Sequence, residues 1–287
     1  MGTATETPAA FIGHGTPMNA LEINRYSASW RAIGNSVPRL RAILMVSAHW
    51  YVNATAVTAM PRPRTIHDFY GFPQALFDIE YPAPGLPELV EEIAEAAHPD
   101  RVGADHDSWG LDHGTWSVLT HMFPDADVPV VQLSINALKP LQHHVELGAR
   151  LAALRRRGVM LMGSGNVVHN LRAMARDQPD GGFDWARRFD EAAQDIMTSD
   201  PSEVVRLAEH PDYRQAVPTD EHFLPLLYLA GAASAAASPA DVLVDGYAYG
   251  SLSMTCYGLG VPCPPAASSL PGNAPLGSRL PADESNV

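Results

Sequence analysis

Short apolar runs that end abruptly in glycine-rich or polar turns constrain the fold of this chain more than any other feature. The four runs are residues 9–12, 42–47, 128–133 and 158–162. Each has the length and composition of a buried strand. Amphipathic segments that lie between or after them are predicted to be helices. The pattern predicts an α/β fold: a single three-layer domain with a central, largely parallel or mixed sheet flanked by helices.

The clearest junction between a strand and a turn is Gly163-Ser164-Gly165-Asn166, which follows the last apolar run. A strand that ends in a glycine turn before a helix places its polar residues at the carboxyl edge of an α/β sheet, where such folds build their sites. His169 is predicted to lie in the first turn of the following helix, with Asn166 as the cap. The alternative interpretation is a simple tight turn beside a surface histidine, and this junction alone does not separate the two.

Other histidines stand at the same kind of junction. His14 and His49 each follow an apolar run, while His113 and His222 are predicted at the beginnings of helices. Any one of them is more often structural than catalytic. Their shared position at one rim of the predicted sheet, together with His169, indicates a site for a first-row divalent metal ion.

Charge and composition argue against several functional classes. The formal net charge is -13 and Lys139 is the only lysine, so the clustered positive charge that nucleic-acid binding needs is missing. Neither a signal peptide nor a run of membrane-spanning length is apparent. Cys256 and Cys263 form no CxxC pattern, so a reducing cytoplasm is expected. His143 and His144 are predicted to be solvated on a charged helix face.

Sequence motifs narrow the enzyme class further. The chain has no HExxH motif, no GxSxG nucleophile elbow and no glycine-rich phosphate loop. Metalloproteases of the zincin type, serine hydrolases and nucleotide-binding enzymes are therefore disfavoured.

Residues 62–73 form an irregular segment with prolines, aromatic side chains and His67. Such a composition is typical of a loop that lines the pocket of an aromatic ligand, and Arg62 or Arg64 is a candidate partner for a substrate carboxylate. Trp50, next to His49, and Trp116, just after His113, are further candidate substrate contacts. The alternative is a surface loop whose aromatic side chains pack inward as anchors.

Six motifs occur in a diagnostic order along the chain. They are Gly13-His14-Gly15-Thr16-Pro17, Ser47-Ala48-His49-Trp50, Ile66-His67-Asp68-Phe69, Gly110-Leu111-Asp112-His113-Gly114-Thr115-Trp116, Gly163-Ser164-Gly165-Asn166 with His169, and His222-Phe223-Leu224-Pro225-Leu226. In this order they resemble the DOPA-dioxygenase family of class III extradiol ring-cleaving dioxygenases, within the LigB-like superfamily. The resemblance runs from about Phe11 to Gly260. We therefore expect a catalytic domain over residues 7–260 and a Pro/Ser/Gly-rich tail over residues 261–287, on the surface or disordered.

The resemblance implies one bound divalent metal ion, with Fe(II) expected for activity and Zn(II) possible in the isolated protein. His14, His49 and His222 look like the metal ligands. Better-known class III members complete the ligand set with a glutamate, whereas here the matching residue is His222, preceded by Glu221. An all-histidine site is less anionic and accepts zinc more readily.

The resemblance also implies roles for two further histidines. His169 looks like the acid/base residue beside the metal, or a fourth ligand, and His113 resembles a second pocket histidine near the oxygen or a substrate hydroxyl. In the predicted reaction His169 takes a proton from the substrate.

The predicted function is extradiol cleavage of a catechol, such as DOPA or a related catecholic acid, by dioxygen. A zinc-dependent hydrolase and a non-catalytic metal-binding protein on the same scaffold are the alternatives. The expected partners are small molecules, without nucleic acid or membrane, and the protein is expected to be a monomer or a small homo-oligomer.

Overall fold

The strands of this protein lie between two hydrophobic layers, because successive apolar side chains along a strand point to opposite faces of the sheet. The computed structural model describes residues 6–262 and 270–274. The strands are β1 (Ala9–Gly13), β2 (Ala42–Val52), β3 (Ala56–Thr58), β4 (Gly103–Asp105), β5 (Val130–Asn136), β6 (Val159–Gly165), β7 (Asp241–Val244), β8 (Tyr247–Ala248), β9 (Leu252–Ser253) and β10 (Cys256–Leu259). Eight of them form one sheet in the order β4-β3-β5-β2-β6-β1-β10-β7, and β8 and β9 form a separate ribbon.

The centre of the sheet is parallel and its edges are mixed. Strands β5, β2, β6 and β1, which contain the four apolar runs, pair in parallel. Strand β10 pairs antiparallel with β1, and β7 pairs antiparallel with β10. On the other side, β3 pairs antiparallel with β5 and parallel with β4. Gly13 lies opposite Gly165, and Ser47 lies opposite Ser164. This register brings the carboxyl ends of β1, β2 and β6 to one edge of the sheet.

Helices cover both faces of the sheet. They are α1 (Arg25–Ser36), α2 (Gln74–Phe77), α3 (Leu89–Ala97), α4 (His113–Met122), α5 (Leu141–Leu151), α6 (Asp184–Ser199), α7 (Tyr213–Ala216) and α8 (Leu224–Ala235). Short 3-10 helices span Pro17–Ala20, Ala152–Arg157, Leu171–Ala173 and Pro201–Glu209. Phe11 packs into the core that contains α3, α5, α6 and α8, whereas Ile12 packs into the core that contains α1 and α4. The prediction of a three-layer α/β fold is confirmed.

The prediction that His144 is solvated is wrong. Its side chain is fully buried, and its Nδ1 lies 3.1 Å from the hydroxyl of Tyr228 on α8. Helix α5 packs so closely on α8 that a Cβ at Gly148 would lie 2.3 Å from the carbonyl oxygen of Tyr228. This contact covers the helix face on which His144 stands.

Part of the predicted tail packs onto the domain. Asn273 is buried and its Nδ2 donates a hydrogen bond of 2.6 Å to Oδ1 of Asn19. The carbonyl of Pro271 accepts a hydrogen bond of 2.8 Å from the backbone N–H of Arg25. Most of the tail lies outside the described residues, and the boundary at residue 260 stays a prediction.

Among the helices that the structure describes, none is both long and apolar enough to cross a membrane.

Candidate metal centre

Five histidines from five separate segments meet at the carboxyl edge of the sheet. The Nε2 atoms of His14 and His49 lie 3.3 Å apart. The ring centre of His222 lies 5.3 Å from that of His14 and 5.0 Å from that of His49. His113 approaches His49 at 3.8 Å between ring centres, and His169 stacks on His222 at 3.4 Å. The structure therefore brings together all five histidines that the sequence indicated.

His14 is held in place by the end of β6. Its backbone N–H donates to the carbonyl of Gly165 at 3.1 Å, and its Nδ1 lies 3.0 Å from Oγ of Ser164. The Ser164 hydroxyl donates its own proton to the carbonyl of Gly114 at 2.6 Å. Because that proton is already used, Ser164 accepts a hydrogen bond from Nδ1–H of His14. This tautomer leaves a lone pair on Nε2, the nitrogen that faces His49.

His49 and His113 share the carboxylate of Asp68. The Nδ1 atom of His49 lies 3.4 Å from Oδ2 of Asp68, and the Nδ1 atom of His113 lies 3.0 Å from Oδ1. His49 lies in β2, within a stretch where the pairing with β5 is irregular, and His113 is the first residue of α4. Asp68 lies within one of the six motifs but was not predicted as a site residue.

A buried carboxylate joins the strand that bears His49 to the helix that bears His113. Asp112 caps α4, and it accepts hydrogen bonds from the backbone N–H of Thr115, from Nε2 of Gln132 and, at 2.7 Å, from Oγ of Ser47. Burial, reinforced by the nearby charge of Asp68, raises the pKa of Asp112 to about 6. Its polar neighbours are what offset the free-energy cost of burying this charge.

His222 lies in the turn that precedes α8. Its carbonyl accepts a hydrogen bond of 2.9 Å from the backbone N–H of Asn166, and its Nδ1 lies 3.2 Å from Oε1 of Glu221. Burial alone would raise the pKa of Glu221, but its contacts with His222 and Thr219 outweigh that effect and bring the pKa to about 2. The prediction that His222 occupies the first turn of the helix is wrong, because α8 begins at Leu224.

His169 follows β6 in an extended segment. Its backbone N–H donates to the carbonyl of Ala216 at 2.8 Å, and it forms an isolated antiparallel bridge with Leu252. The prediction of a helix around His169 with Asn166 as its cap is wrong. The short 3-10 helix begins at Leu171 and is capped by Asn170, while Nδ2 of Asn166 donates to the carbonyl of Ser253 at 2.7 Å. Tertiary contact with β9 therefore replaces the local cap.

Burial keeps three rings of this centre neutral. Desolvation, followed by repulsion from neighbouring imidazoles, lowers the pKa values of His14, His49 and His169 well below the usual value. A neutral imidazole has a lone pair to donate at neutral pH.

The donor atoms fall into two adjoining groups, each with its atoms within 4.8 Å of one another: His14, His49 and His113, and then His169, Glu221 and His222. Imidazole nitrogens with a nearby carboxylate suit zinc, iron or another first-row divalent metal. The Nδ1 atoms of His14, His49, His113 and His222 each lie within 3.4 Å of an oxygen of Ser164, Asp68 or Glu221. The chemistry of the donor set therefore fits the metal ion that the sequence analysis expected.

A small cavity opens beside the histidines. Besides the five rings it is lined by Gly15, Pro17, Phe69, Phe72 and Leu171. The two phenylalanines belong to the irregular aromatic segment but were not predicted individually as site residues. They give the cavity one apolar wall beside the imidazoles.

None of the four predicted substrate-binding residues is among those that line this cavity. His67 lies behind Phe69, with its Nε2 2.9 Å from the carbonyl of Ile79, and Trp116 is fully buried and donates from Nε1 to the carbonyl of Ile66. Trp50 stacks on Trp109 at 5.9 Å between ring centres. Arg62 lines a different, more open groove between residues 61 and 84.

Comparisons with known proteins give a consistent picture. Residues 9–260 match the family model described as the catalytic LigB subunit of aromatic ring-opening dioxygenase. The chain is 48% identical over 262 residues to 4,5-DOPA dioxygenase extradiol of Escherichia coli K12, a match that covers 90% of this chain and 96% of that protein. It is 36% identical over 257 residues to 4,5-DOPA dioxygenase extradiol of Beta vulgaris, covering 86% of this chain and 94% of the relative. A crystal structure of an uncharacterized Escherichia coli K12 protein superposes with a TM-score of 0.78 at 43% identity, covering 88% of this chain and all of that one, 100%.

Proposed function

The chain belongs to the family of the catalytic LigB subunit of aromatic ring-opening dioxygenases and is an extradiol ring-cleaving dioxygenase, and from this premise we propose that it cleaves DOPA or a closely related catecholic acid. The names of the two relatives support this substrate class, because both are called 4,5-DOPA dioxygenases. Dioxygen is the second substrate.

We propose that His14, His49 and His222 bind one divalent metal ion. The short separation of 3.3 Å between the Nε2 atoms of His14 and His49 supports their joint use, as does the outward engagement of their Nδ1 atoms. When bound, Fe(II) supplies the redox chemistry that triplet dioxygen needs in order to react with a singlet catechol. Zinc has no accessible redox change, so a zinc-loaded protein is expected to be inactive in ring cleavage.

Two histidines are proposed to handle the protons of the substrate. His169 is neutral because burial and the neighbouring rings lower its pKa, so its imidazole nitrogen is able to take a proton from a catechol hydroxyl. Nδ1 of His113 lies 3.0 Å from Oδ1 of Asp68, and its Nε2 is proposed to hydrogen-bond a substrate oxygen. The stacking of His169 on His222 holds the proposed base beside a proposed metal ligand.

The apolar wall is proposed to hold the substrate ring. Phe69 and Phe72 contact each other edge to face at 5.4 Å between ring centres and both line the cavity. Aromatic side chains in this geometry favour a planar aromatic ligand. They also exclude water from the reacting atoms.

The convergence of five imidazoles beside an apolar wall is the single observation that carries this proposal. The test is metal analysis of the purified protein, followed by anaerobic reconstitution with Fe(II) and exposure to DOPA in air. We expect oxygen uptake and a yellow ring-opened product. The chelator-treated protein and the zinc-loaded protein serve as controls and are expected to do neither.

Three outcomes of the assay separate the alternatives. Stoichiometric oxygen uptake with a catechol supports the dioxygenase. Zinc-dependent hydrolysis of an ester or amide without oxygen uptake would instead indicate a metal-dependent hydrolase. Tight metal binding with neither activity would indicate a binding protein.

A cytoplasmic location and a monomeric or small homo-oligomeric state also stay predictions, to be tested by fractionation and light scattering.

A further inference from the structure

The carboxylate of Asp68 contacts two histidines of the metal centre at once. Its Oδ1 lies 3.0 Å from Nδ1 of His113 and accepts a hydrogen bond of 2.9 Å from the His113 backbone N–H. Its Oδ2 lies 3.4 Å from Nδ1 of His49. We propose that Asp68 is a positioning residue that orients a metal-binding ring and a substrate-binding ring as one unit, an inference that rests on the proposed function.

The chemistry of this contact determines which nitrogen each ring offers to the cavity. A carboxylate accepts hydrogen bonds only, so it favours the tautomer in which the nearby Nδ1 carries the proton. The lone pairs of His49 and His113 are then on Nε2. A carboxylate behind a ligating histidine also raises the basicity of the ring and restricts its rotation. Since the two ring centres are only 3.8 Å apart, a rotation of one ring would collide with the other.

The backbone on both sides of Asp68 is anchored. The backbone N–H of Ile66 donates to the carbonyl of Leu111 at 2.7 Å, and the carbonyl of Ile66 accepts from Nε1 of Trp116 at 2.8 Å. The ring of His67 reaches the carbonyl of Ile79 at 2.9 Å. Through these contacts His67 and Trp116 fix the segment that delivers Asp68.

The same segment supplies one apolar wall of the cavity. Phe69, the next residue, lies edge to face against His113 at 5.5 Å between ring centres and lines the cavity. Asp68 and Phe69 therefore hold His113 from two sides, one through its Nδ1 and the other through the ring. A loss of Asp68 is expected to disturb both metal affinity and substrate affinity.

The test compares Co(II) binding by the wild type with binding by Asp68→Asn and Asp68→Ala. Asparagine keeps the shape but replaces one acceptor oxygen with an N–H donor, so one of the two rings loses its acceptor. We expect Co(II) affinity to fall about 10-fold in Asp68→Asn and up to about 100-fold in Asp68→Ala. The visible ligand-field spectrum at saturating Co(II) is expected to change in both variants. Asp107→Asn, an exposed carboxylate in a neighbouring loop, is the matched control and should bind as the wild type does.

Chemical rescue separates positioning from a general structural role. Formate or acetate added to Asp68→Ala is expected to restore part of the Co(II) affinity and the wild-type spectrum, because a small carboxylate fits the space that the substitution leaves. Wild-type affinity and an unchanged spectrum in both variants would overturn the inference. If Asp68→Ala does not fold, the affinity and spectrum of Asp68→Asn decide the question. None of these measurements needs ring cleavage, so an inactive wild type that binds Co(II) contradicts the proposed function and leaves the role of Asp68 still testable.

Discussion

Each imidazole of the centre has a partner on the side that faces away from the cavity or a ring stacked against it. Ser164 engages Nδ1 of His14, Glu221 engages Nδ1 of His222, and His169 stacks on the ring of His222. A histidine whose Nδ1 is occupied has only Nε2 left for an ion or a substrate. At the scale of single residues, the orientation of the rings is therefore controlled by side chains that need not touch the metal.

Replacement of His169 by alanine tests the role proposed for this ring. Loss of a positioned general base typically slows a reaction by about 10²–10⁴-fold, so we expect kcat to fall by that factor while metal content stays near that of the wild type. The measurements are oxygen uptake with DOPA and metal analysis of the same sample. A large loss of bound metal would indicate that His169 is a fourth ligand, and unchanged turnover would refute its role as the base.

Replacement of Ser164 by alanine tests the tautomer of His14. Without the acceptor at Nδ1, His14 is free to carry its proton on Nε2, so we expect metal affinity to fall by about 10–100-fold. The affinity is measured by competition with a chelator of known strength. Ser117→Ala is the matched control, because Ser117 is equally buried and its Oγ has no hydrogen-bond partner among the residues that the structure describes. Equal affinities in the two variants would contradict the role of Ser164.

Glycine at the end of β6 permits the close approach of the turn that bears His222. A Cβ at Gly165 would lie 2.2 Å from the carbonyl oxygen of His222, and a Cβ at Gly163 would lie 2.6 Å from the carbonyl oxygen of Pro225. Both clashes involve backbone atoms, which cannot rotate away as a side chain does. At the scale of elements, β6 and the start of α8 are therefore packed backbone to backbone at the metal centre.

Replacement of Gly165 by alanine is expected to push His222 away from the other rings. We expect the free energy of unfolding to fall by at least about 1–3 kcal/mol, the usual cost of overpacking, together with weaker metal binding. Urea unfolding of the metal-free protein and a Co(II) titration measure the two effects. Gly103→Ala is the control, because the nearest atom to a Cβ there lies at 3.8 Å and the position is on β4, away from the centre. Wild-type stability and affinity in Gly165→Ala would contradict this account.

At the scale of the whole molecule, two cores on opposite faces of the sheet bury several histidines in neutral form. Besides the three rings of the metal centre whose pKa values are lowered, His144 on α5 is a buried histidine with a lowered pKa. Burial, with a smaller contribution from His143, lowers the pKa of His144 to about 4. Because these groups gain protons more readily in the unfolded chain, folding stability depends on pH.

Acid is expected to destabilise the metal-free protein between pH 6.5 and 4. A histidine with an unfolded pKa near 6.5 and a folded pKa of about 4 contributes stability that is fully present above pH 6.5. That contribution is lost as the pH falls toward the folded value, and His144 alone accounts for about 2 kcal/mol by pH 5. Urea unfolding at pH 7 and pH 5 should show a smaller difference in His144→Gln than in the wild type. His106→Gln, at an exposed position, should keep the wild-type difference; equal differences in all three proteins would contradict the prediction.

Local patterns in the sequence determined the four central strands of the sheet and placed His14 and His49 near their carboxyl ends. The four apolar runs predicted the parallel centre of the sheet, because strand formation depends on apolar composition over a few residues and on the turns that follow. The parallel order then brings strand ends to one edge, so the meeting of His14 and His49 was also predictable. The beginnings of the segments at His169 and His222 were misplaced. Asn166 donates to the carbonyl of Ser253 instead of capping a helix, and α8 begins only at Leu224.

Only the tertiary structure decided which side chains surround the rings. Ser164 reaches His14 across 150 positions of sequence, and the carboxylate of Asp68 faces both His49 and His113. The tertiary structure also decided that His144, which was predicted to be solvated, is buried. It likewise decided that His67 and Trp116, which were predicted to bind substrate, anchor the loop that bears Asp68. The physical reason is that backbone preference depends on neighbours in sequence, whereas the partner of a polar atom depends on how distant segments pack.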